Sequence, residues 1–88
     1  MPYELYFSDQ FTKLYEKLNA LEQKRIKKAL RLIHENPQYP SLHTKNLQGN
    51  KPLMESRASM DLRLVWKFRN DSQIVFYDVG HHDILKKY

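Results

Sequence analysis

Arg63, Lys67 and Arg69 alternate with Leu62, Leu64, Trp66 and Phe68 along one uninterrupted run. On a β-strand successive side chains point to opposite faces, so this spacing gathers the cations on one side and the apolar residues on the other. A guanidinium presents a planar fork of N–H donors that can hold a phosphate through paired, charge-assisted hydrogen bonds. The cationic side is therefore either a phosphate-holding surface or the solvated face of a half-covered sheet. Gly80-His81-His82 follows the next apolar run, where the glycine frees the backbone to bend. Imidazoles titrate near neutrality and can act as general base, general acid or phosphate donor. A metal reading of this pair, with His43 or Asp83 as further ligands, is disfavoured because neighbours on an extended chain point apart and the spacing matches no metal-binding pattern. No metal or other cofactor is expected. Tyr88 offers either a flat face for stacking a single-stranded base, with a hydroxyl for hydrogen bonding, or a docked tail. Glu55 and Arg57 share a face of the preceding strand and either pair as ions or line the same surface as Arg63. His43 is an outside candidate, and His34, near the end of a basic helix, reads as a surface residue favoured by the helix dipole.

The elements that must position these groups are legible from hydrophobic period. Residues 2–7 alternate as a strand, with Tyr3, Leu5 and Phe7 on one face. Ser8 then offers an N-cap hydroxyl, and Phe11, Leu14, Tyr15 and Leu18 recur at helical spacing up to about Asn19. From Leu21 a second helical set, Ile26, Ala29, Leu30 and Ile33, runs until Asn36-Pro37 stops it. The short link predicts a helix hairpin. Residues 37–52 carry prolines, Gly49 and polar residues and read as a long loop. Strands follow at residues 53–59, 62–69 and 73–79, separated by turns at Ser59-Met60-Asp61 and Asn70-Asp71-Ser72. The order β-α-α-β-β-β predicts a single α+β domain over residues 1–88, its helix hairpin packed on one face of a small, mainly antiparallel, curved sheet.

Composition bounds the function classes. The 88 residues hold no cysteine, which removes disulfide frameworks and thiolate zinc sites and suits a cytoplasmic protein. No apolar run approaches a bilayer span, and the first residues do not form a signal sequence, so no membrane partner is expected. Fifteen Lys and Arg against ten Asp and Glu give a formal charge of +5, a field that attracts nucleic acid, acidic protein segments or anionic membrane. The stripe Lys24, Lys27, Lys28 and Arg31 is either a solvated helix face or a track for an RNA backbone, with Lys45, Lys67 and Arg69 as further candidate RNA contacts. No Gly-rich phosphate loop, Ser-His-Asp arrangement or compelling carboxylate pair is present, which argues against nucleotide hydrolysis and glycoside chemistry.

Taken with Asn46-Leu47-Gln48-Gly49, Leu53-Met54-Glu55-Ser56-Arg57, Leu62-Arg63-Leu64-Val65-Trp66 and the tail from Gly80 to Tyr88, the order of elements resembles the RelE/ParE superfamily of bacterial and archaeal toxins from type II toxin–antitoxin pairs. In its RelE-like branch the resemblance implies a ribosome-dependent endoribonuclease that cuts messenger RNA, partnered by the ribosome, the message and a cognate acidic antitoxin. It further implies that Arg63 holds the scissile phosphate, that His82 is an acid or phosphate ligand, and that Tyr88 and Asp61 occupy positions functional in some relatives. Arg57 suits phosphate charge stabilisation, and His81 is a candidate counterpart to His82. The lysine pair of the best-known branch is replaced by Glu55, Ser56 and Arg57, which leaves the general base open. The competing readings are a ParE-like inhibitor of DNA gyrase that acts by binding, and a degenerate toxin that binds without cleaving.

Overall fold

The computed structural model describes residues 2–47 and 52–88, so Gln48 and Gly49 of the Asn46-to-Gly49 landmark lie outside the described residues. Strand β1 (Glu4–Phe7) leads into helices α1 (Asp9–Glu16) and α2 (Ala20–Glu35), and then come β2 (Lys45–Asn46), β3 (Met54–Arg57), β4 (Leu62–Asn70) and β5 (Gln73–His81). Both helices begin where side chains satisfy the first free N–H groups. Ser8 Oγ accepts from Phe11 N at 3.1 Å, and Asn19 and Glu22 form a reciprocal capping box, with Glu22 N donating to Asn19 Oδ1 at 2.8 Å and Asn19 N to Glu22 Oε1 at 3.0 Å.

The strands form one sheet in the order β1-β5-β4-β3-β2, with β1 parallel to β5 and the other pairs antiparallel. Its helix-covered face is built as the alternation predicts. Leu62, Leu64 and Trp66 of β4 and Ile74, Phe76 and Val79 of β5 are buried against Phe11 of α1 and Ile26, Ala29 and Ile33 of α2. Each such large side chain contributes roughly 1.5–3 kcal/mol by leaving water. Trp66 is fully buried and its indole N–H is satisfied: Nε1 donates to Ser56 Oγ at 2.9 Å, Ser56 bonds Thr44 Oγ1 at 2.7 Å, and Thr44 donates on to Pro37 O at 2.6 Å.

That chain of bonds explains the main departure from the predicted order. The expected plain loop over residues 37–52 contains a 3-10 turn, Pro40–Leu42, and the extra strand β2, pinned against β3. A two-residue strand has no period to read. At the end of the 3-10 turn His43 takes a left-handed backbone (φ 46°, ψ 44°), a conformation that costs a non-glycine residue about 1 kcal/mol or more. His34 does more than sit on the surface, since its Nδ1 lies 2.6 Å from Tyr3 O and its own carbonyl accepts from Tyr3 N at 2.8 Å, tying the end of α2 to β1. Among the described residues no helix is long and apolar enough to cross a membrane.

Candidate functional site

The face of the sheet away from the helices carries the candidate chemistry, and a β-bulge shapes it. Val65 pairs with Asp78 but Trp66 pairs with Phe76, so Tyr77 is an extra residue in β5. The insertion turns Asp78 onto the same face as Val65 and restores Val79 to the core, which is the re-aiming that bulges perform. Asp78 is fully buried there. It accepts Val79 N on Oδ1 at 2.9 Å, and on Oδ2 it accepts Lys87 Nζ at 3.0 Å and Tyr88 OH at 2.8 Å. The C-terminal 3-10 segment His82–Lys87 is thereby folded back over this face. Gly80 marks the crossing, because a Cβ built on it would lie 2.8 Å from Ile84 Cγ2. The glycine is required for close approach rather than for the bend anticipated from sequence.

Arg63 lies on this face, opposite Gly80 on β5 and Arg57 on β3. It was expected to stand open, but it is only 5% exposed. Its Nη1 donates to three backbone carbonyls of the β3–β4 connection, Ser59 O (3.1 Å), Met60 O (2.9 Å) and Leu62 O (3.2 Å). Among the described residues Nε and Nη2 have no protein acceptor, which leaves one edge of the fork unspent. Burial, and then the like charge of Arg57, push its pKa below the ordinary guanidinium value, while Glu55 and Asp61 act the other way. Two guanidinium groups on adjacent strands repel unless an anion joins them. Glu55 does not pair with Arg57. Its Oε1 meets Lys45 Nζ at 3.3 Å, and its buried Oε2 has no partner among the described residues.

The histidines separate. His82 starts the 3-10 segment, exposed and with no side-chain partner among the described residues, two positions beyond the Gly80 that pairs with Arg63. His81 forms a clasp between β5, α2 and the β3–β4 connection. Paired with Leu62, it falls on the helix side, where its Nε2 meets Glu22 Oε2 at 2.8 Å and its Nδ1 meets Asp61 Oδ2. The Asp61 carboxylate is engaged by His81 and drawn further to the ionised form by the backbone N–H of His82. Among the described residues no group of three or more His, Asp or Glu could hold a metal ion.

The Asp61 hydrogen bond is the first cause raising the His81 pKa above 6.5, and the same bond lowers Asp61 below 3.8. The clasp is complete with Asp61 ionised and His81 protonated. It weakens as pH rises through the elevated His81 value and as it falls through the depressed Asp61 value. Glu22→Gln keeps an oxygen for the capping box but removes one charge from the ring, so the His81 pKa should fall while α2 keeps its N-terminus. Histidine NMR titration reads the shift, and an unmoved value would show that Glu22 does not hold the ring.

The remaining candidates disperse. Of the alternatives open for Tyr88, a stacking or catalytic group or a docked tail, the structure shows a docked tail: its hydroxyl donates to Asp78, and burial followed by that carboxylate pushes its pKa up to about 12. Lys67 lies over the Tyr77 ring (5.5 Å) and Arg69 over the Tyr6 ring (5.1 Å), further along the sheet. Lys24, Lys28 and Arg31 are exposed on α2. Sequence reasoning missed Glu22 and Asp78. Asn19-x-x-Glu22 announced a capping box, and an acid inside Ile74-Val75-Phe76-Tyr77-Asp78-Val79 signalled a buried partner.

A toxin RelE4 of Methanocaldococcus jannaschii is 32% identical over 97% of this chain and 92% of its own length. This chain belongs to the RelE/ParE superfamily of toxins. The toxin fold is the same in solved structures: the archaeal RelE–RelB complex from Pyrococcus horikoshii OT3 superposes with a TM-score of 0.76 at 18% identity, covering 92% of this chain and 96% of that one. YafQ from E. coli gives 0.72 at 23% identity, covering 94% and 97%. No family model matches the toxin sequence.

Proposed function

We propose that this toxin is a metal-independent endoribonuclease that cleaves messenger RNA on the ribosome and is held in check by a cognate acidic antitoxin. The observation that carries the reading is that Arg57 and Arg63 stand opposite each other on adjacent strands, on the face that also carries Glu55, whose buried Oε2 has no partner among the described residues. In this reading the Glu55 carboxylate, turned outward to the substrate, accepts the proton of a ribose 2′-hydroxyl, and the 2′-oxygen attacks the adjacent phosphorus. Arg57 and the free edge of Arg63 stabilise the charge gathering on the phosphoryl oxygens, and His82 protonates the departing 5′-oxygen. The products are a 2′,3′-cyclic phosphate and a 5′-hydroxyl. The RelB bound to the Pyrococcus relative supports an antitoxin partner, which the net positive charge would attract.

Purified ribosomes programmed with message test the proposal. Wild-type protein should yield 5′-hydroxyl fragments, and Glu55→Gln and His82→Gln should each slow their appearance by about 10²–10⁴-fold, the usual scale of a general acid or base. Undiminished cleavage in both variants would remove this site. An arrest of DNA replication before translation, with no fragments, would favour gyrase inhibition instead.

A further inference from the structure

A cleft of about 370 Å³ opens between α2, the 3-10 turn and the β3–β4 connection. Leu32, Leu42 and Ala58 give it an apolar lining, Lys28 and Arg57 supply its charge, and His43 adds an imidazole. Among the described residues none of these three basic side chains has a hydrogen bond or a carboxylate partner, and no acidic residue lines the cleft. Three unpaired basic side chains around an apolar pocket form an incomplete arrangement, because an anion would give Lys28 and Arg57 charge-assisted hydrogen bonds and His43 a hydrogen-bond partner, and the lining would gain cover from a flat apolar body.

We infer that this cleft is a nucleotide subsite: it holds one nucleotide of the RNA next to the scissile phosphate, with the phosphate among Lys28, His43 and Arg57 and the base against Leu32, Leu42 and Ala58. The inference rests on the endoribonuclease reading and extends it. Arg57 links the two places, since it lines the cleft and also stands opposite Arg63 across β3 and β4. The β3–β4 connection is shared as well, since Ser59 and Met60 line the cleft and their carbonyls accept from Arg63 Nη1. An acidic peptide would satisfy the charges but would leave the apolar lining without a matching surface.

The test uses a non-cleavable 2′-O-methyl dinucleotide and the isotope-labelled full chain, with no ribosome present. Backbone amide resonances of Leu42 and Ala58 should move on titration, and the Lys28→Gln/His43→Gln double variant should bind about tenfold more weakly, as expected for losing an ammonium and an imidazole contact to one phosphate. Inorganic phosphate alone should bind more weakly than the dinucleotide. The subsite is overturned if those amides stay still up to roughly 10 mM ligand, a concentration that detects even very weak complexes. Equal affinity in the double variant, or equal binding of phosphate and dinucleotide, overturns it as well. So does a double variant that binds the dinucleotide normally yet loses its antitoxin. Because Lys28 and His43 lie outside the proposed acid–base machinery, dinucleotide binding at the cleft without any message cleavage by wild type would sink the nuclease reading and spare the subsite.

Discussion

Replacing Arg63 by Ala should lower the rate of message cleavage by about 10²–10³-fold, the scale reported by removal of one preorganised donor to a developing oxyanion. The same substitution should cost about 1–3 kcal/mol of folding stability. The Ser59, Met60 and Leu62 carbonyls all lean on Nη1, and an unmet buried polar group loses roughly that much. Two roles on one side chain demand a variant that separates them. Arg63→Lys keeps the charge and can still reach a carbonyl of the turn, but its ammonium lacks the planar fork that can hold a carbonyl on one edge and a phosphate on the other. It should recover part of the stability and little of the rate. Urea melts and single-turnover cleavage on programmed ribosomes measure the two quantities, and Arg63→Ala cleaving at the wild-type rate would show that the guanidinium only braces the turn.

How much of this site could be read in advance depends on whether the determining contact is periodic. The run Leu62 to Phe68 declares its two faces because strand alternation is local, and the side on which Arg63 lies follows from it. Its burial does not follow, since the guanidinium is gathered in by the Ser59, Met60 and Leu62 carbonyls of the connection to β3, and the tail crosses the same face only because the extra residue at Tyr77 brings Asp78 there. A bulge leaves no compositional mark in a strand of this kind. His81 and His82 look equivalent as a pair, yet one residue of alternation sends the first to the helix side, and its partners Glu22 and Asp61 come from distant parts of the chain. Strand β2 escaped because two residues define no period. The two helices are legible from the spacing of Phe11 and Leu14 and of Ile26, Ala29 and Ile33, although α1 stops at Glu16, short of the expected end near Asn19.

Asp78→Ala should unfasten the tail. The carboxylate is buried and takes a hydrogen bond each from Lys87 and Tyr88, and hydrogen bonds to a charged group are worth roughly 1.5–3 kcal/mol, so the variant should lose stability of that order. Amide hydrogen exchange should accelerate across the 3-10 segment His82–Lys87 before it does in β4. Cleavage should fall too, because His82 is the first residue of the segment the latch restrains, and an acid displaced from the leaving oxygen loses its advantage steeply. Tyr88 supplies an independent reading. With its pKa raised from 10.0 to about 12, the phenol's contribution is complete below pH 10 and is lost as pH climbs through the folded value. The latch should therefore open in alkali between those limits. In Asp78→Ala both causes of the elevation, burial and the facing carboxylate, are relieved together, so the Tyr88 phenolate should form near its ordinary pH. Absorbance at the phenolate band, taken as the difference from a Tyr88→Phe control to isolate one of the six tyrosines, follows this directly. A Tyr88 titration that does not move in Asp78→Ala, with exchange across the tail unchanged, would mean that the segment is held by its packing over Gly80 and not by the buried carboxylate.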